Sequence, residues 1–459
     1  MMDREKIEQV CLSLEEPMLE TLKTLVRIPS VKGEAEPGAP FGAPARQALD
    51  KALEICGSLG FTCYNADGYA GHADLGQGST EDALAILGHL DVVPIGDGWT
   101  LPPFEPTVRD GLMYGRGTSD DKGPVVAAMY AMKAVQMLGV PLKRKVRLIL
   151  GTDEESGWED IAHYKAVCEM PRQGFSPDAD YPVINIEKGL MVLSLTGKLA
   201  QDGLQVKEFS VGERHNVVPG IAEAVVAGGQ ELADRINEAE FPFPVQAVCT
   251  EEGVKIHTEG IPGHAAMPEL GRNAIGQMLL ILKRFGVKGA LAALADTVGM
   301  EYDGSSLGIR VSDEVSGPLT LNLGIIRVQN GSVEATLDLR CPILSDQQAL
   351  AKRAQGQLPD LTVSIETCKG PHAVSEKSGL VTKLLEAYEE VTGLPGKAMA
   401  IGGGTYAKCL EEGVAFGALF PGEKEMAHQA DEYISIEDLR KNLRIFTCAI
   451  LKLAAEEAE

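Results

Sequence analysis

At 459 residues the chain is roughly three times a typical domain of about 150 residues, so two domains are the first expectation. Its 44% hydrophobic and 24% charged residues describe an ordinary globular protein with a sizeable core. A net charge of -24 repels phosphate backbones and argues against nucleic acid as a partner. No apolar run approaches the roughly 20 residues of a membrane span, and the N-terminal stretch lacks the apolar core of a secretory signal. Nine scattered cysteines without a CxxC pair point to reduced thiols rather than a disulfide framework or a thiolate metal site. The chain is therefore expected to be cytoplasmic, with no membrane partner.

In chain order, Pro44 to Leu59 repeats apolar residues at helical spacing and stops at Gly60. Ala83 to Leu87 is a short apolar run leading into Gly88-His89-Leu90-Asp91. Gly123 to Leu138 reads as a buried helix rich in Ala and Met. Val146 to Leu150 reads as a buried strand running into Gly151-Thr152-Asp153-Glu154-Glu155. Strands alternating with helical crossovers predict an α/β domain with a largely parallel core. After about Lys188 the texture changes. Val254 to His257 alternates, Asn273 to Phe285 reads as an amphipathic helix, and Leu319 to Arg340 is a hairpin closed at Asn330-Gly331, the dipeptide that type I′ turns prefer. From about His372 the α/β texture returns, with helices over Leu380 to Val391 and from Ile436. The domain reading is thus 1–188 and 371–459 as one α/β domain, a mixed sheet flanked by helices, interrupted by an α+β domain over 189–370.

Acidic and histidine side chains fall directly after the apolar strands, and ligands of open α/β sheets bind beyond the carboxyl ends of strands. His89 and Asp91 follow the first such strand. Asp120 and Asp121 precede a helix, Glu154 and Glu155 follow the Val146–Leu150 strand, and Asp178, Asp180 and His428 lie in later loops. A pair of divalent metals needs mixed imidazole and carboxylate ligands, a bridging group and an open position for water. Two histidines and three carboxylates supply that set, and a further carboxylate near the water can be the general base. Singly, each motif is a common surface feature. Together, in order and each after a strand, they point to such a centre.

The segments GHLDVVPIGDGW, YGRGTSDDKGP, GTDEESGWED, SPDADYPVIN, PGHAAMPELGRNA, GGGTYA and MAHQADE closely resemble the PepV-type dipeptidases. These belong to the co-catalytic zinc peptidase family that also holds aminoacylase, carboxypeptidase G and succinyl-diaminopimelate desuccinylase. The resemblance spans nearly the whole chain. It implies two zinc ions per chain, with manganese or cobalt as substitutes. His89 and Asp178 would bind one ion, Glu155 and His428 the other, and Asp120 would bridge them. Glu154 would be the base acting on a metal-bridging water, and Asp91 would hydrogen-bond His89 and fix its tautomer. A cis peptide bond is implied after Asp120. In the middle domain, read as the family's lid, His264 would stabilise the oxyanion with Asn216 beside it, Arg340 would grip a terminal carboxylate, and the Gly403 and Thr405 loop would lie against the substrate. The implied activity is hydrolysis of dipeptides or very short peptides with a free C-terminus. The alternative is an amidohydrolase of N-acyl amino acids, of the aminoacylase or desuccinylase type. The resemblance also favours a monomer over a lid-mediated dimer.

Several residues carry plainer readings. Asp180 reads as a solvated or capping residue, leaving Asp178 as the favoured ligand. His72, His163, His215, His257 and His372 have no motif support and read as ordinary structural or surface histidines. Asp431 and Glu432 read as spare surface acids, and Trp99 and Trp158 as loop anchors. Arg340 has Asp338 two residues away on the same strand face, either as a mere surface pair or as its positioner.

Overall fold

The apolar run after Asp82 becomes the strand Leu84–His89, at the centre of a mixed sheet. Leu84 and Ile86 join the large core on one face, whereas Ala85 and Leu87 join a smaller cluster with Ile149, Tyr164 and Tyr406 on the other. Burial on both faces is why this strand is an unbroken apolar run rather than an alternating one. The computed structural model describes residues 4–456, which divide into two compact units. One comprises the chain up to Asn185, Val374–Met399 and everything from Gly404. The other comprises Ile186–Ala373 and Ala400–Gly403.

In the first unit the strands run in the order Thr62–Ala66, Ala70–Leu75, Val146–Gly151, Leu84–His89, Gln173–Ser176, Glu412–Ala415, Val183–Glu187. The middle four are mutually parallel, with His89 opposite Gly151 at their carboxyl ends. Helices Arg4–Val26, Ala43–Ser58, Lys122–Leu138, Gly379–Thr392 and Ile436–Ala454 bury apolar stripes against this sheet and each other. Lys122–Leu138 stops where Gly139 adopts φ 67°, the left-handed cap that glycine accepts without strain.

The second unit is an antiparallel eight-stranded sheet in the order Val245–Thr250, Gly253–Glu259, Ile221–Val226, Val206–Val211, Thr320–Gln329, Ser332–Cys341, Gly189–Lys198, Leu361–Lys369. The predicted hairpin closes with Gln329 opposite Ser332, and both Asn330 (φ 52°) and Gly331 (φ 76°) take the positive φ of a type I′ turn. Helix Ala274–Arg284, capped by the Asn273 side chain on Gly276 N–H, packs Ile275, Met278, Leu279 and Leu282 into this unit's core. The nine cysteines are free thiols, with Cys11, Cys56, Cys341 and Cys448 buried. Among the described residues no helix is long and apolar enough to cross a membrane.

Candidate active site

His89 is the last residue of its strand and is buried. The glycine before it is required by packing, because a Cβ at Gly88 would run into Val125 and Asp121 at the start of helix Lys122–Leu138. His89 Nδ1 lies 3.0 Å from the Asp91 carbonyl oxygen and 3.4 Å from Asp91 Oδ1. The nearer acceptor, the carbonyl, therefore fixes the proton on Nδ1 and turns the Nε2 lone pair toward the site. The Asp91 carboxylate mainly does something else. Its two oxygens accept the backbone N–H groups of Glu154 (3.2 Å) and Glu155 (3.1 Å), tying together the ends of two adjacent parallel strands.

The Glu154–Glu155 turn is held from its other side as well. Buried Asp160 accepts the N–H groups of Thr152 (2.7 Å) and Asp153 (3.1 Å) and the Tyr406 hydroxyl. Buried Asp153 accepts Lys32 Nζ at 2.6 Å, and Trp158 Nε1 donates to the Glu154 carbonyl at 2.9 Å. Trp99 donates to the Ile95 carbonyl at 2.7 Å under the Arg116 guanidinium. Both tryptophans anchor loops.

Asp120 precedes helix Lys122–Leu138, and the peptide bond between Asp120 and Asp121 is cis. What holds this turn overturns the reading of Glu432 as a spare surface acid. Glu432 is fully buried and accepts the backbone N–H groups of Gly117 (3.0 Å), Ser119 (2.9 Å) and Asp120 (3.2 Å), together with buried Arg116 Nη1 at 2.7 Å. Asp431 is likewise engaged, accepting Thr100 N–H at 2.9 Å and Leu101 N–H at 3.1 Å. Such charge-assisted bonds to successive amides form an anion nest that fixes the backbone of the Asp120 turn.

The side chains so positioned converge. Asp120 Oδ1 lies 3.0 Å from His89 Nε2, and Asp120 Oδ2 lies 3.0 Å from His428 Nε2. Asp178 Oδ2 stands 3.7 Å from His89 Nε2, and Glu155 Oε1 stands 2.9 Å from His428 Nε2. Ligands held at about 2.0–2.2 Å from a tetrahedral ion stand roughly 3.4 Å apart, a value that lies within the 2.9 to 3.7 Å spread of these separations. Two ligand groups lie within 4.8 Å internally, namely His89 with Glu154 and Asp178, and His89 with Asp120 and Glu155. The structure thus brings His89, Asp120, Glu154, Glu155, Asp178 and His428 together, with each Asp120 oxygen facing a different imidazole. Asp180 is not among them. It is exposed and pairs with Leu419 on a short strand.

The electrostatics fit cations. Burial pushes the Glu154 carboxyl well above its ordinary range, opposed by His89 and reinforced by Glu155, Asp91 and Asp120. Burial and the charge of Asp120 do the same to Asp178, and burial raises Glu155. Burial also works against ionisation of Asp120, yet hydrogen bonds from His428 and His89 hold it below the usual carboxylate range. Burial disfavours the charged form of His428, but Asp120 and Glu155 raise it to about 11. Lys122 offers no compensation, because its Nζ donates to the Leu25 and Ile28 carbonyls. Crowded, half-buried acids that resist joint ionisation are a donor set that divalent cations neutralise.

In the second unit, Gly263–His264 pairs with Val217–Val218 as a short antiparallel ribbon, and Ala265 N–H donates to the Asn216 carbonyl at 2.9 Å. His264 is exposed, and its Nδ1 accepts Ala266 N–H at 3.2 Å. That bond places the ring proton on Nε2, the tautomer an oxyanion donor needs. Arg340 and Asp338 share one face of the strand Ser332–Cys341. Nε and Nη2 of Arg340 donate to Asp338 at 2.7 and 3.0 Å, and Nη1 donates to the Gly402 carbonyl at 3.0 Å. His215, read as a structural or surface histidine, has its Nδ1 2.7 Å from Asp338 Oδ2. None of Gly402, Gly403 and Gly404 has a positive φ. Gly402 is small because Ala266 packs over it, 3.0 Å from where a Cβ would stand. Buried Thr405 caps a short 3₁₀ turn through Ala407 N–H.

The profile of the Peptidase family M20/M25/M40 matches residues 85–452. "Putative dipeptidase YtjP" of Bacillus subtilis is 37% identical over 455 residues, covering 96% of this chain and 98% of that protein. "Putative dipeptidase SAB1611c" of Staphylococcus aureus is 36% identical over 473 residues, covering 99% of this chain and all of that protein. Among solved structures, the di-peptidase Dug1p from Saccharomyces cerevisiae shares the fold, with a TM-score of 0.60 at 14% identity over 98% of each chain.

Proposed function

From the premise that this chain belongs to the Peptidase family M20/M25/M40, we propose that it hydrolyses dipeptides, or very short peptides with a free C-terminus, at a centre of two divalent metal ions. The observation that carries this reading is the bridging posture of Asp120, whose two oxygens face two different imidazoles at 3.0 Å each. His89 and Asp178 would hold one ion, His428 and Glu155 the other, and Asp120 both. Zinc suits the mixed imidazole and carboxylate set, and manganese or cobalt would serve in its place. Bound there, the ions would supply Lewis acidity that makes water acidic near neutral pH and polarises the scissile carbonyl.

The chain's own residues do the rest. Glu154, beside His89 and Asp178, takes a proton from the attacking water and returns it to the departing amine. Its place beside His89 and Asp178 puts it within reach of both transfers. Asp91, Asp160 and Glu432 touch no reacting atom. They fix the turns that aim Glu154, Glu155 and Asp120. His264 donates Nε2–H to the tetrahedral oxyanion, with Asn216 beside it, whereas Arg340 binds the substrate's terminal carboxylate. The Gly403 segment lies along the substrate. The buried cap at Thr405 leaves that residue a supporting part. The proposed setting is the cytoplasm, with the enzyme acting as a monomer on small peptides.

The test is turnover of free dipeptides such as Ala-His and β-Ala-His by enzyme of measured metal content, alongside N-acetyl and N-succinyl amino acids. Preference for dipeptides, abolished by chelation, is the expected result. Preference for the acyl amino acids would replace the dipeptidase reading with the amidohydrolase one.

A further inference from the structure

Arg340 carries a difficulty as a carboxylate anchor. Its partner Asp338 is fully buried at 2.7 Å, so the two charges cancel locally and the pair offers donors with no net positive charge. Arg340 has five N–H bonds, and its bonds to Asp338 and Gly402 leave one N–H on each terminal nitrogen. The geometry for gripping an anion is present, while the charge is missing.

His215 stands where that charge would come from. Its Nδ1 and Arg340 Nη2 donate to the same oxygen, Asp338 Oδ2, at 2.7 and 3.0 Å, so imidazole and guanidinium are neighbours across one atom. With Nδ1–H committed to a carboxylate, the tautomer is set. Nε2 has no protein partner among the described residues, and the side chain is 39% exposed. The backbone under the ring is built for this placement. Asn322 Nδ2 donates to the carbonyls of His215 (3.0 Å) and Val217 (2.8 Å). The strand Thr320–Gln329 breaks register between Leu323 and Ile325. At that bulge a Cβ on Gly324 would stand 2.7 Å from His215 Cα, so glycine there lets the segment cross. The charged groups facing the ring from the hairpin strand are Asp338 and Arg340. Asn322 and Gly324 of the neighbouring strand are neutral.

We propose that His215 is a substrate-binding residue that holds the substrate's terminal carboxylate together with Arg340, donating from Nε2. This rests on the dipeptidase reading and deepens it. A carboxylate arriving on Arg340 comes close to His215, because both side chains bond the same Asp338 oxygen, and a ring that donates from both nitrogens carries both protons. The ring then donates to Asp338 through Nδ1 and to the substrate through Nε2. Docked substrate meets two cations against one buried anion, and the net positive charge that Arg340 lacks alone is restored.

His215→Asn separates the two ring nitrogens, because an asparagine amide reproduces the Nδ1 donation to Asp338 and removes the Nε2 end. Kinetics of a free dipeptide and of the same dipeptide with an amidated C-terminus are compared for wild type and His215→Asn, with unchanged thermal melting as the check on folding. The expected result is KM for the free dipeptide raised about tenfold or more, kcat within about twofold of wild type, and no change for the amide. An unchanged KM for the free dipeptide, or an equal rise for both substrates, overturns the inference. Absence of turnover in wild type would instead count against the dipeptidase reading. The inference is then read from equilibrium binding of the free dipeptide and its amide to wild type and His215→Asn. A tenfold weakening confined to the free form supports it, and equal binding overturns it.

Discussion

In the first unit the functional side chains are held by buried carboxylates. Asp91 ties the Glu154 and Glu155 amides, Asp160 the Thr152 and Asp153 amides, and Glu432 the Gly117, Ser119 and Asp120 amides. In the second unit they are held by a neutral amide, a strand bulge and one salt-bridged acid, namely Asn322, Gly324 and Asp338. Beside these supports the first unit crowds Asp120, Glu154, Glu155 and Asp178, acids that divalent cations would neutralise. The second balances its charge internally, Asp338 against Arg340. Under the proposed function, one unit would bind metal and the other the substrate's carboxylate. The two demands cannot be met by one set of buried groups, since a surplus of acid repels the substrate's anion.

The contrast can be broken most forcefully at Glu154. Glu154→Gln is expected to keep both metals and lose about 10²–10⁴-fold in kcat, the usual weight of a general base. Turnover near the wild-type rate would remove it from that role. Glu432→Ala tests whether a buried acid that touches no reacting atom sustains the centre. It strands Arg116 without its partner, 2.7 Å away in the native protein, and should cost about 3–5 kcal/mol of stability, measured by denaturant titration, together with weakened metal binding.

Removing metal sharpens the same side of the comparison. Chelation is expected to destabilise the protein by about 2.7 kcal/mol relative to a metal concentration 100 times Kd. The deficit should grow with pH. His428, raised from 6.5 to about 11, contributes stability that is complete below 6.5 and is lost as pH climbs through that interval. The raised acids Glu154, Glu155 and Asp178 act in the same direction, because their folded forms favour the proton. The melting temperature of metal-free protein should therefore fall from about pH 6.5 to 9 and that of loaded protein should fall less. Parallel curves would contradict the charge argument. The smallest effect is in the second unit. Arg340→Ala should raise KM for free dipeptides about 10–100-fold, or ~1.4–2.8 kcal/mol, and leave C-terminal amides unaffected.

The placement of His89, Glu154 and Glu155 was legible because they follow apolar strands at their carboxyl ends, a local pattern that survives without coordinates, whereas the roles of Asp120, Asp178 and His428 were implied only by the resemblance. The hairpin was legible from Asn330-Gly331 for the same reason. The supporting acids were not. Glu432 lies 315 positions from the Gly117 amide it accepts, and a lone Glu after Asp431 looks like any surface acid. His215 showed no motif, because its meaning comes from Asp338, 123 positions away, and from a bulge that Gly324 alone does not announce. The long helix Arg4–Val26 also escaped the motif-led reading, although Ile7, Cys11, Leu14, Met18, Leu22 and Leu25 are buried at helical spacing. Pro17 within it is a residue that ordinarily ends a helix.

The most direct test of the account is equilibrium titration of chelated protein with zinc. Two ions bound per chain in wild type is the predicted result. Saturation at one ion, or at none, would contradict a centre bridged by Asp120.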